Sequence, residues 1–539
     1  FKDRPSATAS AAFDEALHAC QREVRAVHER LFFRPLLEAF ASMDLPGGPA
    51  RGDQGEEAPG MGPGAVTDRL AAFGFADVDR TRAAVQELAG GLTRSSRLMG
   101  QMLPLLLNWL SLSPDPDLGL VGLRNLSVHA HHSSLVVSTF RESPEAARRL
   151  CLLLGSSRVL AESISHNPQL VSAFADDETL SAGTRRELVA EARTRVRQRD
   201  TEGQRSQLVR LREDSSLKIA ARDLLGMDDV DATASSLSAL AEALLEGSLT
   251  AVGAGVAFCV IGLGRFGGSE LSYASDLDVL FVVDEAQGGD ADALGAGEQI
   301  AEALSRFVRG PSPALRIANL DLGLRPEGAR GRLARGLRGY STYFARWAQT
   351  WERQAMLRAR PVAGDRELGE RFMAMVAGFV WDRALTQADI AEIRRMKARI
   401  ERERIPARED PEFHLKLGRG SLSDVEWTVQ LLQLEHRVEG AGTLEALEEL
   451  ARRGVLEEED AGVLRSAYRF LERTRNRWYL VGALPGGGSP GDSLPTQGHQ
   501  ISRLARSLGT TPAALRDEYR RVTRRARRVT ERLFYGVED

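Results

Sequence analysis

Residues 256–283 read VAFCVIGLGRFGGSELSYASDLDVLFVV, and this stretch decides how the middle of the chain folds. Its two ends, Val256–Leu263 and Leu277–Val283, are short apolar runs rich in Val, Ile and Phe and bounded by Gly, Ser and Asp. Such runs are typical of buried strands. The segment between them is rich in glycine, which lets a backbone turn tightly and approach a ligand closely. The sequence therefore predicts two buried strands joined by a Gly-containing turn.

Two carboxylates, Asp276 and Asp278, stand at the start of the second predicted strand. Residues i and i+2 of a strand project to the same face, so these side chains are expected side by side, where their charges repel unless a cation joins them. Magnesium suits such a pair, because it prefers oxygen ligands and completes its shell with water and substrate phosphates. Upstream, Gly267, Gly268 and Ser269 are candidates to bring backbone N–H groups to a polyphosphate.

A helix is predicted at about Gly297–Val308 and a third strand at Leu315–Leu322, with Asp321 near its end. Three acids on neighbouring strands beside a Gly-rich turn are the groups that two-metal nucleotidyl transfer requires. A dinucleotide-binding fingerprint fits less well, because GLGRFGG lacks the helix-opening G-x-G-x-x-G with an acid ~20 residues later in a βαβ unit. Alone, a Gly-Gly pair is usually a plain turn and Asp-x-Asp a solvated strand end, but their order here favours a site.

Composition limits the class of protein. The 539 residues are 43% hydrophobic with a net charge of −4, as in an ordinary chain of several globular domains. This balance gives no overall attraction to nucleic acid or anionic membrane, and the longest uncharged apolar stretch, Ala251–Gly264, is shorter than the ~20 residues of a membrane span. Three widely spaced cysteines and the absence of a leader-like start favour a reducing compartment. We therefore predict a cytoplasmic protein that binds neither nucleic acid nor membrane.

Helical periodicity dominates both sides of the strand-containing segment. Residues 66–235 are Leu/Ala-rich at helical spacing, residues 236–390 hold the predicted strands, and residues 391–539 return to helical patterns. Residues 46–65 are rich in Gly and Pro and are predicted to be a flexible linker. The predicted fold class is mainly α, with an embedded α/β domain flanked by helical domains.

A short repeat relates the two ends of the sequence. Residues 24–33 read VRAVHERLFF and residues 526–535 read ARRVTERLFY, with six identities at one constant shift. Repetition of the final helix near the start predicts that residues 1–45 are the helical tail of a preceding, similar unit. The remainder of the chain would then be the second of two units.

Lysine usage indicates a further candidate residue. The chain has four lysines and 67 arginines, so a lysine inside a motif is a candidate for a role that needs a compact charge. Lys416 is followed by Gly418 and Gly420 and by a predicted helix that carries Asp424 and Glu426. Two alternatives stay open for this lysine: contact with phosphate, or a surface ion pair with Asp424.

Longer motifs resemble one branch of the polymerase-beta nucleotidyltransferase superfamily. A Gly-Gly turn followed by Asp-x-Asp is similar to the superfamily in general, and the seven-residue spacing here is at its short end. The string GLGRFGGSELSYASDLDVLFV resembles the glutamine synthetase adenylyltransferases. So do LDLGLRPEGARG (320–331), WERQAMLRARPVAGD (351–365), LKLGRGSLSDVEWTVQ (415–430) and DSLPT (492–496). Ser421 and Arg265 depart from the family pattern, which usually has Gly and often has Lys at those positions.

The resemblance implies a nucleotidyltransferase that transfers AMP from ATP to a tyrosine of glutamine synthetase, releases pyrophosphate and uses two Mg²⁺ ions to regulate nitrogen assimilation. The family is bifunctional, and its amino-terminal unit removes AMP by phosphorolysis. The repeat favours the carboxy-terminal, adenylyl-transferring half for this chain. The resemblance also implies glutamine and a PII-type signal protein as effectors. Phosphorolytic removal of AMP, a different acceptor for the nucleotide and a non-catalytic scaffold remain as alternatives.

The candidate site residues fall into three groups. Those predicted to be catalytic and to bind metal are Asp276, Asp278 and Asp321. Those predicted to bind the nucleotide are Gly267, Gly268, Ser269, Ser275, Arg325 and Lys416. The family-like motifs add Arg265, Glu352, Arg358, Arg360, Asp424 and Glu426.

Overall fold

The computed structural model describes residues 70–71, 73–89, 94–127, 130–285, 290–407, 409–483 and 489–537. The chain divides into two compact units, the first ending at Thr179 and the second beginning at Leu180. The predicted helical tail at 1–45 and the predicted linker at 46–65 lie outside the described residues. The predicted domain limits after residues 235 and 390 stay predictions.

The described part of the first unit is built of helices. Between two of these helices the chain turns at Gly155, where a Cβ would lie 2.0 Å from Ser113 Oγ. The second of the two helices then begins after Ser157, whose side chain accepts a hydrogen bond from the backbone N–H of Leu160. The helices are α1 Val78–Ala89, α2 Arg94–Ser111, α3 Pro116–Ser127, α4 Ala130–Glu142, α5 Pro144–Leu154 and α6 Arg158–His166, followed by a 3₁₀ segment, Pro168–Ala175.

The second unit opens with three helices that precede the sheet. Each begins where a side chain accepts a hydrogen bond from the first turn, which satisfies one of the N–H groups left free at a helix start. The capping residues are Thr184, Asp200 and Asp229. The helices are α7 Arg185–Arg195, α8 Thr201–Leu224 and α9 Val230–Val252.

A small mixed sheet follows. Its strands are β1 Phe258–Gly262, β2 Leu277–Val283, β3 Leu320–Asp321, β4 Ala334–Gly336 and β5 Arg360–Gly364, and a four-residue helix, α10 Gly264–Gly267, links the first two. The order is β3-β2-β1-β5, and β4 also pairs with β2. Strand β1 is antiparallel to β2 and β5, whereas β3 and β4 run parallel to β2. The chain is thus mainly helical with one small mixed sheet.

Strand β1 is shorter than its predicted run Val256–Leu263, and proline accounts for two further differences between the predicted and observed strands. The predicted bounds of β2 are those observed. The strand predicted at Leu315–Leu322 shrinks to its two residues Leu320–Asp321, because Pro313–Leu315 forms a 3₁₀ turn. Strand β5 was not predicted, since Pro361 lies within it; a proline is tolerated there because β5 is at the edge of the sheet.

Helices return after β2 and dominate the rest of the second unit. The helix predicted at about Gly297–Val308 begins earlier, at Asp290. The helices are α11 Asp290–Arg309, α12 Leu337–Arg346, α13 Thr350–Met356, α14 Arg366–Trp381, α15 Gln387–Glu403, α16 Leu422–His436, α17 Thr443–Arg452, α18 Glu458–Gly482, α19 Gly498–Ser507 and α20 Pro512–Thr530.

The alternation of side chains along β1 divides the interior around the sheet into two cores. Phe258 and Val260 pack in the core with α7–α9 and α11, while Cys259 and Ile261 pack in the core with α14 and α15. The sulfur of Cys259 is therefore a core group, and burial raises the pKa of its thiol to about 12. A third core lies among α16–α20. Within the described residues, no helix combines the length and apolar character that crossing a membrane requires.

Candidate active site

The backbone of Gly264 lies in close contact with the side chain of Asp278. Gly264 has a φ of +53°, and a Cβ at this position would lie 2.4 Å from Asp278 Oδ2. Only glycine combines this conformation with this approach. Sequence reasoning gave weight to the Gly-Gly pair and missed Gly264. Its signal was its place directly after β1, facing the start of β2.

The three predicted acids lie at one end of the sheet. Asp276 is exposed and immediately precedes β2, Asp278 is half-buried on β2, and Asp321 is exposed on β3. Asp278 and Asp321 are register partners in the parallel pair, so the folded chain brings these two acids together from distant positions in the sequence. The pKa of Asp278 is raised to about 6: burial is the largest cause, the charges of Asp321 and Asp276 act in the same direction, and that of Lys416 acts against them.

The donor chemistry of this cluster fits a hard divalent cation. No ion pair of these three carboxylates is formed within the described part of the chain, and the hydrogen bond that Asp321 Oδ1 accepts is from the N–H of Gly323, at 2.7 Å. Across the described ranges, no three His, Cys, Asp or Glu side chains form a closed metal site. Magnesium does not need one, because it is commonly held by one or two carboxylates, water and substrate phosphates.

The backbone cradle predicted at Gly267–Ser269 requires correction. The N–H groups of these three residues donate to the carbonyls of Leu263, Gly264 and Phe266, inside α10 and the turn that ends it. They are therefore not available to a polyphosphate in this conformation. The Oγ of Ser269 remains as a candidate phosphate contact, and this residue holds a φ of +56°.

Arg360 fixes the conformation of this turn. Its Nε donates to the carbonyl of Gly267 at 3.0 Å, and its Nη2 donates to Ser269 Oγ at 3.0 Å and to Glu242 Oε1 at 2.6 Å. The buried Glu242 belongs to α9, so the guanidinium ties the turn to the helix that precedes the sheet. Arg360, predicted from a family motif, thus contacts Ser269 directly.

The two glycines of the predicted phosphate turn are required by packing against the protein. A Cβ on Gly267 would lie 1.9 Å from the carbonyl oxygen of Arg358, and one on Gly268 would lie 2.9 Å from that of Ala441. The buried Arg358 side chain donates to Glu270 Oε2 at 2.6 Å and also to Thr443 Oγ1. The guanidinium of Arg358 therefore joins the turn after α10 to the start of α17.

Three further candidates are held by intramolecular contacts. Ser275 Oγ accepts a hydrogen bond from the N–H of Ser272 at 3.0 Å, which shapes the turn before Asp276. Arg325 donates to three backbone carbonyls of its own loop, including that of Leu322 at 2.7 Å. Glu352 is buried in the cap of α13, where it accepts from the hydroxyl of Tyr343 at 2.8 Å and from the N–H of Gln349. Each orders local structure, and the nucleotide-binding roles of Ser275 and Arg325 stay predictions.

Lys416 lies close enough to the acids for its charge to lower the pKa of Asp278. Its ammonium has no hydrogen-bond or ion-pair partner in the described ranges. Burial lowers the pKa of Lys416, and the nearby charge of Arg475 lowers it further while that of Asp492 raises it. The alternative of an ion pair with Asp424 is wrong, because that carboxylate is occupied by Lys397 and Arg527, at 2.6 and 3.1 Å.

The remaining candidates, Arg265 and Glu426, form an ion pair between α10 and α16. Arg265 of α10 lies 3.0 Å from Glu426 of α16 and 2.8 Å from the buried Glu472 of α18. Although burial acts in the opposite direction, the charges of Arg358 and Arg265 lower the pKa of Glu426. These ion pairs therefore join α16 and α18 to α10.

Comparison with known families agrees with the motifs that meet at this site. The family model described as glutamate-ammonia ligase adenylyltransferase matches residues 147–375, which include the three acids. The model described as GlnD PII-uridylyltransferase matches residues 391–534, which include Lys416.

Curated relatives match along nearly the whole chain. The bifunctional glutamine synthetase adenylyltransferase/adenylyl-removing enzymes of Nocardia farcinica and Streptomyces avermitilis are each 38% identical to it over 95% of its length. The chain is therefore similar to the glutamine synthetase adenylyltransferases along nearly its whole length. The corresponding enzyme of Mycobacterium leprae is 37% identical, again over 95% of the chain. The chain spans about half the length of these relatives, 52 or 53%.

Replacing Asp278 tests the electrostatics of this candidate site. The raised pKa means that between about pH 4 and 6 the folded chain keeps a proton that the unfolded chain has released, so stability is lost as pH rises through about 6. We expect Asp278→Asn to be more stable than the wild-type chain at pH 7.5, by on the order of 1–2 kcal/mol, and to lose this advantage near pH 4. Thermal unfolding in the presence of a chelator, at pH 7.5 and near pH 4, measures the two stability differences.

Asp276→Asn is the matched control for this experiment. Asp276 is exposed, so the same change should affect stability less at either pH. Two results would contradict the proposed crowding of charge: an Asp278→Asn variant that is less stable than the wild-type chain at pH 7.5, or a stability difference of the same size at pH 7.5 and near pH 4.

Gly264→Ala tests the backbone contact with the acid. The left-handed φ and the contact with Asp278 Oδ2 should together cost about 1–3 kcal/mol of stability and displace the carboxylate, so activity should fall sharply. Urea unfolding and nucleotide turnover provide the measurements. Gly295→Ala is the control, because Gly295 lies within α11 with open space around its Cβ position, and alanine there should stabilise by up to about 1 kcal/mol. Wild-type behaviour of Gly264→Ala would remove this contact from the site.

Proposed function

We propose that this chain transfers AMP from ATP to a tyrosine of glutamine synthetase and releases pyrophosphate. The observation that carries the proposal is the cluster of Asp276, Asp278 and Asp321, unpaired among the described residues and faced by Lys416. The proposal is supported by the names of the relatives, which describe adenylyltransferases of glutamine synthetase, and by the family motifs that surround these acids. We also infer that the mixed sheet and α10 form a nucleotidyltransferase domain of the polymerase-beta type.

In the proposed reaction, the tyrosine oxygen attacks the α-phosphorus of ATP as the bond to the pyrophosphate oxygen breaks. Asp321 is exposed beside Asp278 and is the candidate to orient the hydroxyl and accept its proton. Lys416 offers an unpaired positive charge to the phosphates, where charge develops in the transition state. The hydroxyl of Ser269 is a further donor, held in place by Arg360.

Two of these acids, Asp276 and Asp278, would hold Mg²⁺, with Asp321 as a further ligand. When bound, Mg²⁺ supplies polarisation of the phosphate oxygens and lowers the pKa of the attacking hydroxyl. The fit rests on the chemistry of the donor set. The three carboxylates supply oxygen ligands and form no ion pair within the described residues, and Asp278 and Asp321 are adjacent across β2 and β3. The negative charge that destabilises the apo site is the charge that a cation would neutralise.

Removal of AMP by phosphorolysis is the second candidate reaction. The names of the relatives include both an adenylyltransferase and an adenylyl-removing activity, and the chain spans about half their length. The repeat between residues 24–33 and 526–535 favours the adenylyl-transferring half. As effectors we propose a PII-type signal protein, supported by the PII-uridylyltransferase match over residues 391–534, and glutamine. A cytoplasmic location is supported by the unpaired, buried Cys151 and Cys259.

The two reactions are separated by direct assay. The chain is incubated with ATP labelled at the α-phosphate, Mg²⁺ and unmodified glutamine synthetase, and the masses of the tyrosine peptides are determined by mass spectrometry. We expect a tyrosine peptide that carries AMP, with release of pyrophosphate. Release of ADP from adenylylated glutamine synthetase and phosphate, without the forward reaction, would instead support the removing activity. An inactive chain in both assays would contradict the proposal.

Lys416→Met tests the role of the unpaired ammonium. If Lys416 contacts phosphate in the transition state, kcat/KM for ATP should fall by the equivalent of about 2–4 kcal/mol, as for one lost electrostatic donor. Steady-state kinetics at varied ATP measure the loss, and thermal unfolding shows whether the fold persists. Unchanged kinetics would remove Lys416 from the site. Lys416→Arg shows in addition whether a compact charge is required, because full activity would mean that any cation serves.

A further inference from the structure

A second rare lysine, Lys397, lies buried beneath the loop that carries Lys416. Its side chain on α15 is fully buried. The ammonium has three N–H donors, and they meet three acceptors: Glu401 Oε1 at 2.5 Å, Ser423 Oγ at 3.1 Å and Asp424 Oδ1 at 2.6 Å. Every donor of this buried charge is therefore satisfied. Burial by itself lowers the pKa of Lys397, but the charges of Asp424 and Glu401 raise it above its usual value.

The acceptors of Lys397 also hold the backbone of the loop 414–421. Asp424 uses its second oxygen, Oδ2, to accept the N–H of Gly420 at 2.7 Å. Ser423, whose hydroxyl contacts Lys397, donates its own N–H to the carbonyl of Lys416 at 2.9 Å. One buried ammonium is thus linked to the loop at two points, and one of those points is the backbone of Lys416 itself.

The loop has little freedom to adjust by itself. The N–H groups of Lys416 and Leu417 both donate to Nδ1 of the buried His414, at 3.2 and 3.0 Å. Gly420 has a φ of +73°, and a Cβ there would lie 1.9 Å from the carbonyl oxygen of Thr523 on α20. A shift of Asp424 would therefore be transmitted along the loop and would change the position of the Lys416 backbone.

We propose that Lys397 is a positioning residue that holds Ser423 and Asp424 in place and thereby directs Lys416 toward Asp278. The inference rests on the proposed function, because the phosphate role of Lys416 belongs to it. Arginine is the common basic residue in this chain, and its longer, planar head does not place three donors around one buried point as an ammonium does. This explains a lysine at a position without solvent access.

The test is a double-mutant cycle in the 539-residue chain. Lys397→Arg keeps the charge but changes the geometry of the donors, and it is combined with Lys416→Met. We expect Lys397→Arg to lower kcat/KM for ATP on the order of 10-fold, as outer partners of active-site groups commonly do. In the Lys416→Met background it should lower kcat/KM by less than about 2-fold, because the group that it positions is already gone. Lys218→Arg, the same change on α8, is the control and should alter neither background.

A loss of the same size in both backgrounds would overturn the inference, since Lys397 would then act independently of Lys416. So would wild-type kinetics of a folded Lys397→Arg variant. Ser423→Ala provides a milder change if Lys397→Arg does not fold. It removes one of the three acceptors and leaves the ion pair with Asp424, and it should show a smaller loss with the same dependence on Lys416.

Amide hydrogen exchange provides a readout that needs no activity. In Lys397→Arg, the N–H groups of residues 416–421 should exchange on the order of 10-fold faster or more, while those of α16–α18 remain protected. Unchanged exchange in the loop would overturn the inference even if the wild-type chain transferred no AMP. An inactive wild-type chain with the expected change in exchange would contradict only the proposed function.

Discussion

The crowding of Asp278 against like charges and against the backbone of Gly264 is the constraint on which the rest of the site depends. A half-buried carboxylate beside two other acids is unfavourable, and burial is the main reason that its pKa rises to about 6. The surrounding structure nevertheless fixes it there: β1 and β2 pair along their length, and α10 begins at a glycine that leaves room for the carboxylate oxygen. In the proposed function, a divalent cation would relieve this repulsion.

The C-terminal helices complete the site through buried charges. Arg265 reaches from α10 to Glu426 and Glu472, and Arg358 reaches from the start of β5 to Glu270 and Thr443. Because removing one partner of a buried ion pair leaves the other uncompensated, these contacts bind the helices to the sheet in one specific arrangement. Lys416 comes to the acids as part of that arrangement, about 140 residues after them in sequence.

The sequence predicted the elements whose signals are local. Strand β2 has its predicted bounds, and Asp321 lies beside Asp278 because β3 pairs in parallel with β2. Strands β3 to β5 were misjudged or missed, because proline and short length hide an edge strand that only its neighbours stabilise. The contacts of Gly267, Arg358 and Lys397 depend on residues far along the chain, so no local pattern distinguished a phosphate turn from a packing turn, or showed which lysine pairs with Asp424.

Binding of a divalent cation together with nucleotide is the property that distinguishes this site most directly from a solvated strand end. Calorimetric titration of Mn²⁺ into the chain with α,β-methylene ATP, an analogue that cannot transfer AMP, measures it without turnover. We expect saturable Mn²⁺ binding that requires the nucleotide and is lost in the Asp278→Asn variant. Mn²⁺ binding of unchanged affinity in that variant, or no binding to the wild-type chain, would contradict a metal-dependent nucleotide site at these carboxylates.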